Sequence, residues 1–177
     1  MDLAAHRLHS QRLVGVHPPT PAETVRWLGA VQAQDATGAA WAVAQRTAGA
    51  TVADVERALD AGEIVRTHVL RPTWHLVGRE DVRWMLALTA PRVRRAMASY
   101  DRKLELDDAV FSRTQALIAA ALGGGRSLTR TEIGRALADG GVEASGQRLA
   151  HVMMRAELDA VVVSGPRRGR QTTYALM

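Results

Sequence analysis

The sequence predicts a mainly α-helical fold with short β-hairpins, an α+β protein in which one order of elements is met twice. Three observations predict it. Apolar residues recur three and four apart in several stretches, helix-capping signals stand ahead of those stretches, and at two places the helices give way to paired β-like runs around a turn. A hydrophobic share of 47% over 177 residues suffices for one full core or two small ones, which excludes a disordered chain.

The first helix is expected over residues 3–14, with Leu8 and Leu13 near one face. The second opens at Thr20-Pro21-Ala22-Glu23, where threonine caps, proline takes the first helical position and Glu23 has capping-box spacing; Val25, Leu28 and Val31 form its stripe. Residues 39–46, alanine-rich around Trp41 and Val43, read as a short buried helix. Another spans residues 51–61 with Val55, Ala58 and Leu59 inward, and Gly62 stops it. Two β-like runs, residues 64–70 and 73–77, then meet around Arg71-Pro72. Three helices followed by a hairpin is the order of a winged helix-turn-helix, expected over residues 1–78.

Residues 79–105 read as a helical linker, one or two helices broken near Pro91. Val82, Met85 and Leu86 pack one side, while Arg92, Arg94, Arg95, Arg102 and Lys103 decorate the later part. Gly123-Gly124-Gly125 has no strand ahead of it and no lysine-serine pair behind it, so it is a turn and not a phosphate loop.

The same order returns over residues 106–177. A helix is expected over 107–122 with Val110, Leu117, Ile118 and Ala121 inward, and another over 129–138 behind a Thr129/Glu132 capping box. In residues 144–156, Leu149, Val152, Met153 and Ala156 share one helical face, and Arg148, His151 and Arg155 lie opposite. A strand over 160–164, a glycine-bounded loop carrying Arg167, Arg168 and Arg170, and a strand over 172–176 complete a basic wing. The chain is thus expected to be two tandem winged helix-turn-helix units joined by a helical linker.

Charge is unevenly spread. Residues 1–89 balance nine arginines against nine acids, so the net charge of +5 falls wholly in the second half. Such asymmetry points to a polyanion, with duplex DNA held through Arg148, His151, Arg155, Arg167, Arg168 and Arg170. Only Lys103 among the 23 basic residues is lysine, and the arginine fork suits phosphate. With no cysteine and no zinc-type histidine spacing, neither metal nor cofactor is expected. No run approaches the roughly 18 apolar residues of a membrane span, and the first residues lack a secretory layout, so a cytoplasmic, nucleoid-associated monomer is expected.

Two motifs in order, Val31-Gln32-Ala33-Gln34-Asp35 after a capped helix and Arg71-Pro72-Thr73-Trp74-His75 on a hairpin, resemble the AlkZ/YcaQ-type winged-helix DNA glycosylases. The resemblance runs from Arg7 to the last strand. It implies excision of alkylated purines and unhooking of interstrand crosslinks, with Gln32 and Gln34 catalytic and alkylated or crosslinked duplex DNA as the partner. Asp35, Thr73 and His75 are candidates for catalytic support; Trp74 is expected in the core. Members of this family are about twice as long, so weak or absent glycosylase activity with DNA binding retained is the expectation for these 177 residues.

Independently of that resemblance, an N7-alkylated guanine is already cationic and leaves without protonation, so neutral side chains that place a water and support the oxocarbenium can suffice. Gln32 and Gln34, on alternate positions of an extended or bent segment, can project together; equally, they can cap the second helix. Two other classes stay open. A non-enzymatic winged-helix transcription regulator would dimerise through residues 79–104, with Trp84 and Met85 in the interface, and a partner-binding winged helix would touch no DNA.

Overall fold

A computed structural model describes residues 2–169 and 171–177. The chain divides into two units, Met1–Arg66 with Thr73–Val82 and Thr67–Pro72 with Arg83–Met177.

The first unit begins with α1 (Leu3–Ser10), capped by Asp2 and shorter than expected because Arg12 at φ 55° and Gly15 at φ 86° turn the backbone out of the helix. Helix α2 (Pro21–Leu28) starts as its sequence dictates, with the Thr20 hydroxyl accepting from the Glu23 N–H. A short strand, β1 (Ala30–Gln32), follows directly. Next come α3 (Ala36–Ala44) and α4 (Val52–Asp60), the latter opened by a Thr51/Asp54 capping box. Strands β2 (Ile64–His68) and β3 (Trp74–Gly78) complete an antiparallel sheet ordered β1-β3-β2. The helices close over one face of it, where Val25, Val43, Val55, Ile64 and Leu76 are almost wholly buried. Each such side chain contributes about 1.5–3 kcal/mol through burial.

The second unit carries α5 (Val82–Lys103), one continuous helix where a break near Pro91 was expected. Proline removes only its own N–H from the ladder, and Met85, Leu86, Ala90 and Val93 stay buried along one side, so packing carries the helix through. Then follow α6 (Asp108–Leu122), β4 (Leu128–Thr129), α7 (Arg130–Asp139) and α8 (Gly146–Leu158). Strands β5 (Val162–Arg168) and β6 (Gln171–Leu176) finish a second antiparallel sheet, ordered β4-β6-β5. Residues 165–168, expected in the loop, belong to β5, which bulges between Gly165 and Arg168.

Each unit therefore runs helix, strand, helix, helix, strand, strand with the first strand against the last, a winged-helix-like arrangement. They differ at one joint. In the first unit three residues, 33–35, separate β1 from α3; in the second, β4 ends at Thr129 and α7 begins at Arg130.

Candidate functional site

The three-residue joint holds the glutamine pair. In the β1–β3 ladder Val31 stands opposite Leu76 and Gln32 opposite His75. Partners across an antiparallel pair share a face, so Leu76 and Val31 point into the core while Gln32 and His75 lie on the other side of the sheet. Ala33 continues the alternation and is fully buried, which leaves Gln32 and Gln34 exposed on either side of it. The extended reading of this segment matches the backbone at Gln32; neither glutamine caps α2, whose end is closed by Gly29 at φ 77°.

Three contacts fix the joint. The Ala33 N–H donates to the Trp74 carbonyl at 2.7 Å, the Arg66 Nε donates to the Ala33 carbonyl at 3.0 Å, and the Trp74 N–H donates to the Gln34 Oε1 at 3.4 Å. The Arg66 guanidinium also stacks 4.3 Å from the centroid of the half-buried Trp74 ring. Sequence reasoning missed Arg66, although an arginine inside the apolar run Ile64-Val65-Arg66-Thr67 was a signal that one strand position meets a polar partner.

Asp35 is the N-cap of α3, its Oδ1 accepting from the Thr37 and Gly38 N–H groups at 3.1 Å each. A Cβ at Gly38 would come within 2.6 Å of the Asp35 carboxylate, so a side chain there would push the capping group aside. His75 is buried, and its Nδ1 donates to the Thr73 carbonyl at 2.8 Å, an arrangement that places a proton on that nitrogen. The Thr73 hydroxyl is buried and has no hydrogen-bond partner among the described residues. Beside Gln32 lies a hollow of about 250 Å³ lined by Gln11, Leu28, Gln32 and Arg46. The joint thus gathers Gln32, Gln34, Asp35, Thr73 and His75 around one strand pair.

Two exposed amides thus stand astride a buried small residue, where a strand leads into a capped helix. A family model described as DNA glycosylase AlkZ-like matches residues 25–177. The chain belongs to the AlkZ-like DNA glycosylase family. Among solved structures it is similar to the DNA glycosylase AlkZ of Streptomyces sahachiroi, with TM-score 0.79 and 24% identity, over 96% of this chain and 47% of that one. The chain spans about half the length of that relative. No curated protein matches.

The basic residues expected to contact DNA are placed as follows in this AlkZ-like chain. On α8, Arg148 donates to the Leu104 carbonyl, and His151 Nδ1 bonds Asp101 at 2.7 Å. Arg155 bonds Asp159 at 2.8 Å and Asp108 at 3.3 Å with its guanidinium 4.6 Å from the Phe111 centroid. The face expected to be open is therefore packed against residues 101–111, and all three side chains are only partly exposed. On the ribbon, Arg168 is exposed but bonds Glu132 and the Ser127 carbonyl, Arg167 is half-buried, and Arg170 lies outside the described residues. Among the described residues no three His, Asp or Glu side chains group as a metal site, and no helix is long and apolar enough to cross a membrane.

Proposed function

We propose that the chain contributes the catalytic joint of a DNA glycosylase that releases N-alkylated purines, with Gln32 and Gln34 as the residues that touch the reacting atoms. The observation that carries this reading is the exposure of both amides around a fully buried Ala33. In an N7-alkylguanine the bond from N9 to C1′ breaks with its electron pair passing into the purine, which neutralises the alkylpurinium ring and leaves the positive charge on the sugar. A water oxygen then bonds C1′, and its proton passes to solvent. Gln32 and Gln34 hold that water and orient amide oxygens toward the developing positive charge. His75 and Thr73 support the strand behind them, and Asp35 adds a negative charge next to the pair while capping α3.

Duplex DNA is the partner in this reading, interstrand crosslinks are a second substrate, and the protein acts near the nucleoid as a monomer. DNA contact from the second unit is assigned to Arg167, Arg168 and Arg170 of the ribbon; Arg148, His151 and Arg155 join it only where their present partners are released. The test is release of 7-methylguanine from a methylated duplex by the full chain. Gln32→Ala and Gln34→Ala should each lower the single-turnover rate by about 10- to 100-fold while leaving duplex affinity within a factor of three or so. Release that survives the double replacement removes both residues from the mechanism.

A further inference from the structure

We infer that the exposed face of α5 is a phosphate-binding stripe for the nucleic-acid backbone, which rests on DNA being the partner but not on the glycosidic chemistry. Between Asp81 and Asp101 the chain has no acid, yet it carries Arg83, Arg92, Arg94 and Arg95. A helix face that is merely solvated mixes the two signs, with opposite charges three or four residues apart. This one offers cations alone.

Met85, Leu86, Ala90 and Val93 fix the buried side of α5. At about 100° per residue, Trp84, Pro91, Arg95 and Arg102 then fall on one line along the opposite side, with Leu88 next to it and Arg92 on its flank. From Trp84 to Arg102 that line is about 27 Å long. Arg92, Arg95 and Arg102 are exposed and, among the described residues, make no side-chain hydrogen bond or ion pair. Arg94 differs, because it is spent on Asp159 and the Leu158 carbonyl. While the basic face of α8 is satisfied inside the unit, this side of α5 keeps Arg92, Arg95 and Arg102 uncompensated, each able to take two phosphate oxygens.

At the other end of the line Trp84 is 53% and Leu88 72% exposed, so a flat ring lies in register with the cations, as in surfaces that track a nucleic-acid strand. An anionic membrane would also attract the charge. However, a helix lying in a bilayer surface presents apolar residues along its whole length, and on this line the large ones, Trp84 and Leu88, are confined to the first turns.

The experiment measures binding of the full chain to an undamaged duplex by fluorescence anisotropy, between about 50 and 200 mM salt. In the triple variant Arg92→Gln/Arg95→Gln/Arg102→Gln the slope of log affinity on log salt should flatten by about 2 to 3, with affinity at low salt down by about 10- to 100-fold. A control with the same charge change, Arg7→Gln/Arg57→Gln/Arg79→Gln, should keep its slope within about one. If the triple variant loses its helical circular dichroism, the three single variants replace it, each flattening the slope by about one. An unchanged slope in the α5 variants overturns the proposal, as does an equal fall in the control. So does a wild-type chain that binds phosphatidylserine vesicles but not duplex. Failure of 7-methylguanine release with the slope flattened as expected sinks the glycosylase reading and leaves the stripe standing; intact release with an unmoved slope does the reverse.

Discussion

The Glu157 carboxylate and His68 form a buried pair: Oε2 accepts from the His68 backbone N–H at 3.2 Å and is hydrogen-bonded to the ring Nδ1, with the residues 1% and 7% exposed. Removing one member strands the other in a medium that cannot solvate it. His68→Ala should therefore lower unfolding free energy by about 3 kcal/mol, whereas His68→Leu/Glu157→Met, which removes both polar groups, should lie closer to wild type. Urea unfolding of the three chains decides this, and a single variant as stable as the double one would contradict the pairing.

Ala33 sits in the first core with no exposed surface. Ala33→Leu forces extra methylenes into that space and should destabilise by about 1–3 kcal/mol. The strain falls on the peptide held by Arg66 and Trp74, so 7-methylguanine release should drop by more than the loss of folded protein accounts for. Thermal unfolding and single-turnover rates on the same sample separate the two effects.

Glu132 completes the capping box of α7, and its carboxyl is held at about 2, below an ordinary value of 4.5. The chief cause is the hydrogen bond from the Thr129 N–H, followed by the Arg168 side chain and the Thr129 hydroxyl. A depressed folded value means that the stabilisation is complete above about 4.5 and is lost as the pH falls toward about 2. Arg168→Gln should raise the Glu132 value and shift acid unfolding to higher pH, read by carboxyl NMR titration and by circular dichroism. Because the Thr129 contacts persist, the value should stay below the ordinary one.

Pro91 lies exposed inside α5. Its ring leaves the Ala87 carbonyl without its i+4 donor, and proline in a helix interior is about 3 kcal/mol less favourable than alanine. Pro91→Ala should stabilise the chain by about 1–3 kcal/mol in urea unfolding. A neutral or destabilising result would show that the helix is shaped around the missing bond.

What could be read from the sequence was whatever depends on neighbours a few residues away. Thr20, Thr51 and Thr129 announce three helix starts because a cap bonds within its own first turn. Strands β1 and β4, three and two residues long, carry no periodicity of their own and exist only through their ladders to β3 and β6. Periodicity divides α8 into an apolar and a basic face but does not tell what covers the second. Asp101, Leu104 and Asp108 stand more than forty residues away in the chain from the side chains they engage. At the joint, the sequence marks Gln32 and Gln34 as a motif, while the burial of Ala33 and the hold of Arg66 emerge only from the packed sheet.

The unequal joints have a consequence for how such a fold gains chemistry. Where β4 passes into α7 with no intervening residue, Thr129 is both the last residue of the strand and the helix cap, so no side chain is left over for a reagent. Where residues 33–35 intervene, the capping duty passes to Asp35, and Gln32 and Gln34 stand exposed ahead of it. In the proposed function the longer connection supplies the reactive position while both cores keep their packing; grafting the Ala33-Gln34-Asp35 spacing between Thr129 and Arg130 is the corresponding change in the second unit.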